Sequence, residues 1–311
     1  MELMGLGRYR LGRELDIAST SCRFFLASHE DEPNDGEPSY LAKILRPQRG
    51  PDAQRRRGQF DHEIKLLKSF NHPCIPTLHA AGDQDGVPYI VSDRVHGITL
   101  SELLGQRGDE HRSLTKEIAV YVVAQLADAL RHAHTLEFLE GDQPTPLSVV
   151  HRDLCPENVL LSTRGDVVLV DFGKAYSQWL PAAHDDPDAG ALAYKAPERL
   201  NPGTKAAVKT DLFGIAVMLW EALRGERCFA GKSDDATREA IARFDISQAS
   251  RRVPGLSPKL SEVLRKNLDR DPERRFPDAY KMLQRLAQSP EAQVAEQSRQ
   301  GLADAVKAAL G

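Results

Sequence analysis

The sequence predicts an α+β chain in two lobes, a small strand-rich lobe carrying one helix and a larger helical lobe after it. Three observations predict this. Up to about residue 96, short strand-like runs such as "YLAKIL" surround a single helical stripe, Phe60, Ile64, Leu67 and Phe70 of "RGQFDHEIKLLKSF". From about residue 97 the pattern turns helical, led by "EIAVYVVAQLADALRHAH", whose nearly continuous apolar face suits a buried strut. The chain has 311 residues, 41% of them hydrophobic and 28% charged, which is enough for two cores in an ordinary globular protein. The boundaries fall at an N-terminal extension over residues 1–8, a small lobe and hinge over 9–96, a large lobe over 97–288 and a helical tail over 289–311.

Taken in order, "SHEDEPNDGEPSY" at residues 28–40 reads as an acidic hairpin turn or a disordered loop. "YLAKIL" places Lys43 in a strand. "QRRRGQ", with Arg55 to Arg57, reads as a solvated approach to the first helix, which ends before the helix-breaking "NHP". "DQDGVPYIVSDRVHG" reads as a DG turn, a strand and a hinge. "LEFLEGDQPTPLS", rich in Gly, Pro and acids, predicts a surface loop. "VVHRD" and "VVLVD" predict two short buried strands joined by "LCPEN". "KTDLFGIAVMLWEALRGERCF" predicts an apolar helix opened by Asp211, and "PDAYKMLQRLAQ" closes the lobe. "SPEAQVAEQSRQGLADAVKAALG" predicts a capped start and a weakly amphipathic helix through Leu302, Val306 and Leu310, suited either to pack on the lobe or to dock a partner.

Charge and composition exclude several classes. A net charge of −4 with no sustained basic run argues against a nucleic-acid partner. No apolar run approaches roughly 18 residues, so no membrane span is expected. The opening "MELMGLGRYRL" is too short and polar for a signal peptide, and the expected location is cytoplasmic. Cys22, Cys74, Cys155 and Cys228 lie far apart with no CxxC pair, the pattern of free thiols in a reducing compartment.

The chemistry concentrates in "VVHRDLCPENVLL" and "VVLVDFGKA", where Asp153, Asn158 and Asp171 stand at the ends of apolar runs and face one cleft. Hard oxygen ligands of this kind suit magnesium, which binds through one or two carboxylates together with substrate phosphates. At these residues the sequence resembles the protein kinases, in particular the eukaryotic-like, bacterial-type serine/threonine kinases, whose motifs HRDxxxxN and DFG recur here. "ALAYKAPERL" matches the family's APE at Ala196, Pro197 and Glu198, and Arg275 of "DRDPERRF" matches the arginine that pairs with that glutamate. The resemblance implies transfer of the γ-phosphoryl of ATP, with magnesium, to a protein hydroxyl in signalling, serine or threonine before tyrosine. Asp153 would orient and deprotonate the acceptor, and Asn158 and Asp171 would hold magnesium. Lys43, fixed by Glu63, would position the α- and β-phosphates. The nucleotide would also meet Ser92 in the gatekeeper position, Asp93 and Val95 of the hinge, and Leu160. A protein substrate is implied, and the C-terminal helix is the candidate seat of a regulatory partner. Two other readings stand beside this one: a pseudokinase or regulatory scaffold, and a small-molecule kinase of the aminoglycoside type, a class that usually lacks "APE" and the "DLFG" helix.

The departures from the family are specific. The phosphate loop of the form GxGxxGxV is here "ELDIASTSCRFFLA", with Asp16, Ala18 and Ser21 where glycines are expected and Phe24 near the valine. Leu41 replaces a small residue over the adenine. Both changes predict weak nucleotide affinity. Cys155 stands where such kinases have a lysine reaching the γ-phosphate, and Ala191 where they have its threonine partner. With Asp153 beside it and no adjacent base, Cys155 is not expected to be a nucleophile. Arg152 is neutralised in many kinases by a phosphorylated residue, yet Phe172 to Ala196 holds no threonine and offers only Tyr176, Ser177 and Tyr194 as hydroxyls. Asp185, Asp186 and Asp188 would either order this segment in place of a phosphate or form a solvated acidic loop.

Overall fold

Antiparallel pairing organises the first part of the chain. The computed structural model describes residues 5–17, 19–33, 36–47, 49–106, 111–201, 203–245 and 252–311. The chain divides into two compact units, one formed by Met1–Asn71, Ile75–Val95 and Trp179–Asp185 and the other by His72–Cys74, His96–Gln178 and Asp186–Gly311. In the first unit β1 (Gly5–Leu6), β2 (Tyr9–Leu15), β3 (Cys22–His29), β4 (Tyr40–Leu45), β5 (Leu78–Gln84) and β6 (Val87–Asp93) form one sheet in the order β1-β2-β3-β4-β6-β5. β5 turns into β6 through Asp85 and Gly86, whose φ values of 55° and 82° are those of a type I′ hairpin turn. Leu6, Tyr9, Ala27, Ala42, Ile44 and Val91 form the buried face of this sheet. The acidic stretch joins β3 to β4; its Asn34 and Asp35 lie outside the described residues.

The helix of this unit, α1 (Pro51–Ser69), begins earlier than the apolar stripe suggests. Arg55 to Arg57 are therefore inside it and not an approach to it. Ion pairs at helical spacing account for the difference: Arg55 meets Asp52 at 3.1 Å and Arg57 meets Asp61 at 3.2 Å. Phe60, Leu66 and Leu67 supply its buried side. A Cβ at Gly58 would collide with the His184 ring as it lies here, and Gln59 Nε2 donates to the His184 carbonyl at 3.0 Å.

The second unit is helical around α2 (Leu100–Leu103), α3 (Lys116–His134), α4 (Val208–Arg224), α5 (Asp234–Ala242), α6 (Pro258–Asn267), α7 (Ala279–Ala287) and α8 (Ala295–Leu310). α3 and α4 are buried over most of their length and pack on each other. Two small sheets complete the unit, one of β7 (Gly97–Thr99), β10 (Val159–Ser162) and β11 (Val167–Leu169), the other a hairpin of β8 (Glu137–Glu140) and β9 (Gln143–Pro146).

Four local expectations are corrected. "VVHRD" is not a strand: Val150 makes one isolated bridge to Tyr176, and β11 pairs instead with β10. "LEFLEGDQPTP" forms a β-hairpin and not a loop, closed by the two residues between Glu140 and Gln143. α4 starts at Val208, and Asp211 sits inside its first turn. Ser289 makes no side-chain cap, and a 3-10 turn over Pro290–Val294 precedes α8.

α8 buries Leu302, Ala303 and Val306 and packs on α3, β7 and β10. Arg299 adds an ion pair to Asp166 at 2.8 Å, beside Gly165, where a Cβ would strike the Arg299 carbonyl. Among the described residues no helix is long and apolar enough to cross a membrane. Because Leu302 is fully buried, Leu302→Ala should cost about 2–5 kcal/mol. The check is a lowered midpoint in thermal or urea unfolding.

Candidate active site

β10 and β11 set the geometry of the second unit's polar cluster. Val159 faces Leu169 and Leu161 faces Val167, and both pairs are buried. Strand alternation turns Leu160 to the opposite face, where it is half-buried. The Val170 amide donates to the Asn158 carbonyl at 3.0 Å, so Asn158 and Asp171 leave the hairpin at the same end.

The loop before β10 is held from α4. Asp211, wholly buried, accepts hydrogen bonds from the His151 amide at 2.8 Å, the Arg152 amide at 3.0 Å and His134 Nε2 at 2.8 Å. This clamp maintains a left-handed backbone at Arg152, φ 67°, which costs a non-glycine residue about 1–3 kcal/mol. Asp171 is left-handed as well, φ 63°, and accepts from the Gly173 amide at 3.4 Å. The His151 ring packs edge-on to Phe172 at 4.7 Å and its Nε2 lies 3.2 Å from the Val170 carbonyl.

Asp153 and Asn158 are joined directly. Asn158 Nδ2 donates to the Asp153 carbonyl at 2.8 Å, which orients the amide and leaves Oδ1 as its acceptor. Asp153 is nearly buried; its Oδ1 accepts from the Ala191 amide at 2.9 Å and its Oδ2 lies 3.5 Å from Lys174 Nζ. Asn158 Oδ1 and the Asp171 carboxylate are a hard-oxygen donor pair of the kind magnesium takes together with phosphate oxygens. Among the described residues no cluster of three or more His, Cys, Asp or Glu side chains forms a fuller metal cage. Burial, reinforced by Asp153 and Glu157, pushes the Cys155 thiol far up, so it stays protonated and is no nucleophile.

In the first unit Lys43 Nζ meets both carboxylate oxygens of Glu63 at 2.8 Å, joining β4 to α1, with Glu63 buried. Ser92 and Asp93 end β6, beside Leu41 and Tyr40 of β4. Burial acts to raise the Asp93 carboxyl, yet His79 at 2.6 Å and the Thr77 amide at 2.9 Å outweigh it and hold it below its ordinary value. Val95 follows, half-buried. In the loop between β2 and β3, Asp16 is exposed, Ala18 lies outside the described residues, and the Ser19 hydroxyl takes the Cys22 amide at 3.1 Å.

Lys43 and Glu63 are thus brought together in one unit, and Asp153, Asn158, Leu160 and Asp171 in the other. The Glu198 and Arg275 pair forms at 2.7 Å through both carboxylate oxygens. Sequence reasoning missed two groups. Asp211 acts as the loop clamp, signalled by a lone acid inside an apolar helix pattern, and Lys174 reaches Asp153, signalled by a lysine directly after "DFG".

The protein kinase domain model matches residues 34–286, and the chain belongs to that family. The serine/threonine-protein kinase PrkC of Bacillus subtilis is 29% identical over 72% of this chain and 32% of its own length. The tyrosine-protein kinase MasK of Myxococcus xanthus is 30% identical over 71% of this chain and 34% of its own. The serine/threonine-protein kinase PknB of Mycobacterium tuberculosis is 28% identical over 72% and 34%. The chain spans about a third of the length of these curated relatives.

Burial acts to raise the Asp211 carboxyl, but the hydrogen bond and proximity of His134, the nearby His151 ring and the Arg152 amide together hold it below its ordinary value. A carboxyl lowered in the folded state stabilises at neutral pH, and that contribution disappears as pH falls through its folded value. Asp211→Asn substitutes a donor for one of two acceptor oxygens that face three donors. It should lower the unfolding midpoint at pH 7 by an amount equivalent to about 3–5 kcal/mol. The gap to the unsubstituted protein should narrow as pH drops, read from melting curves across the acid range.

Proposed function

We propose that this chain is a protein kinase domain that transfers the γ-phosphoryl of ATP to a protein hydroxyl, with serine or threonine the favoured acceptor. The observation that carries the reading is the arrangement around Asp153. Its carboxylate is held by a backbone amide, its carbonyl fixes the Asn158 amide, and Asn158 and Asp171 leave one hairpin end with oxygens suited to a divalent cation. Bound there, magnesium would neutralise charge on the phosphate oxygens. The chain's own groups do the rest by position. Asp153 orients the acceptor hydroxyl and takes its proton, and Lys43, held by Glu63, anchors the α- and β-phosphates. The resemblance implies that Ser92, Asp93, Val95 and Leu160 would meet the adenine.

The family and the names of PrkC and PknB support a serine/threonine acceptor; the name of MasK keeps tyrosine as the second reading. The Glu198–Arg275 pair and the buried "DLFG" helix favour a protein acceptor over a small molecule. The glycine-less phosphate loop is the feature that favours a scaffold, and it predicts weak ATP binding in either case. Four free cysteines accord with a cytoplasmic setting. A regulatory partner of α8 would engage its outward side, near the exposed Leu310, since Leu302, Ala303 and Val306 are already covered.

Titrating ATP with and without magnesium, then following labelled phosphate into the protein itself and into generic acceptors, tests the assignment. Asp153→Asn should lower transfer by roughly 10²-fold or more while nucleotide affinity stays near that of the unsubstituted protein. Asp171→Asn should lose the magnesium-dependent part of nucleotide binding. Nucleotide binding without any transfer by the unsubstituted protein would favour the scaffold.

A further inference from the structure

The resemblance leaves one charge missing. Where such kinases carry a lysine two places after the catalytic aspartate, this chain has a buried, protonated Cys155, and where they carry its threonine partner it has Ala191. The structure nevertheless sets an ammonium beside Asp153. Lys174, the residue after Asp171, Phe172 and Gly173, brings Nζ to 3.5 Å from Asp153 Oδ2. The Ala191 amide donates to Oδ1, so the carboxylate has a backbone donor on one oxygen and an ion pair with this ammonium on the other.

The base of Lys174 is rigid and its tip is not enclosed. Phe172–Lys174 form a 3-10 turn begun by Asp171, and the Ala175 amide closes it on the Phe172 carbonyl at 3.0 Å. Arg152 Nε donates to the Lys174 carbonyl at 2.7 Å and its Nη2 to the Ala175 carbonyl at 3.4 Å. Tyr176 is paired to Val150 in both directions, at 2.8 and 2.9 Å. The side chain itself is 49% exposed. An ion pair so open contributes little to stability, so folding alone gives no reason for it.

We propose that Lys174 supplies the cation that position 155 lacks, binding both Asp153 and the phosphoryl group in transfer. This rests on the phosphotransfer reading above. In that step the acceptor oxygen forms its bond to the γ-phosphorus and its proton passes to Asp153. The bond from the γ-phosphorus to the bridging oxygen breaks, and its electron pair leaves with ADP. Lys174 remains an ammonium throughout, donating to Asp153 Oδ2 and to a non-bridging oxygen of the moving phosphoryl. Its charge is therefore felt most where charge develops.

The test compares Lys174→Gln and Lys174→Arg with the unsubstituted chain. In Lys174→Gln, kcat should fall by roughly 10²-fold, as for loss of one transition-state donor, with the melting temperature and the affinity for magnesium–ADP, measured by calorimetry, little changed. Lys174→Arg should recover most of kcat. A readout independent of turnover is the gain in ADP affinity on adding aluminium fluoride, a mimic of the transferring phosphoryl; Lys174→Gln should lose most of that gain. If the unsubstituted protein transfers phosphate and Lys174→Gln does so within about threefold of it, this inference is wrong and the phosphotransfer reading survives. If the unsubstituted protein neither transfers phosphate nor gains affinity from aluminium fluoride, both fall together.

Discussion

Most of the second unit's polar architecture depends on one buried carboxylate. Asp211 has no solvent to satisfy it, and an isolated ion so placed costs several kcal/mol. Three donors, His134 and the amides of His151 and Arg152, offset that cost. They do so only if the backbone at Arg152 takes its left-handed form. The clamp therefore converts the rigidity of α4 into the shape of the loop that carries Asp153. α4 is tethered in turn by Arg275, which donates to the Lys209 carbonyl at 3.0 Å while gripping Glu198. From the loop the order passes onward: the guanidinium of Arg152 holds the carbonyls of Lys174 and Ala175, and Asn158 is oriented by the carbonyl of Asp153.

The first unit also joins a strand to a helix through a charged pair. A strand lysine and a helix glutamate meet through two hydrogen bonds of equal length, so Glu63 aims the ammonium of Lys43 from α1. The position of α1 thus matters for Lys43. Gly58 permits His184 to lie directly on α1, and Gln59 bonds to its backbone, so residues 179–185 are packed on the helix that holds Glu63. A segment whose composition shows no periodicity is nonetheless anchored, because its bonds run to residues far away in the chain.

Charge around Asp153 illustrates how a local loss is compensated at a distance. Position 155 has become a small, buried, neutral side chain, and position 191 contributes its amide where a hydroxyl would be expected. The ammonium arrives from the 3-10 turn that follows β11. The arrangement leaves Asp153 with a backbone donor on one oxygen and an ammonium near the other, while position 155 is a buried thiol.

The sequence alone determined what depends on short range. The fold class, α3, the Asp85–Gly86 turn and the spacing of Asp153, Asn158 and Asp171 all follow from side-chain period, turn chemistry and ordered motifs. Pairing did not. "VVHRD" looks as apolar as a strand, yet its backbone donors go to Asp211 and Tyr176, and nothing in the run itself says so. The hairpin at β8 and β9 was hidden by Pro and acids because an exposed ribbon needs no apolar alternation. Asp211 reads locally as a helix start and becomes a clamp only when α4 meets the loop. Lys174 becomes a neighbour of Asp153 only through the 3-10 turn that follows Asp171. In each case outside that hairpin tertiary structure decided, because a hydrogen bond or ion pair depends on which groups share a place in space, and the partners lie from 21 to 77 positions apart in the chain.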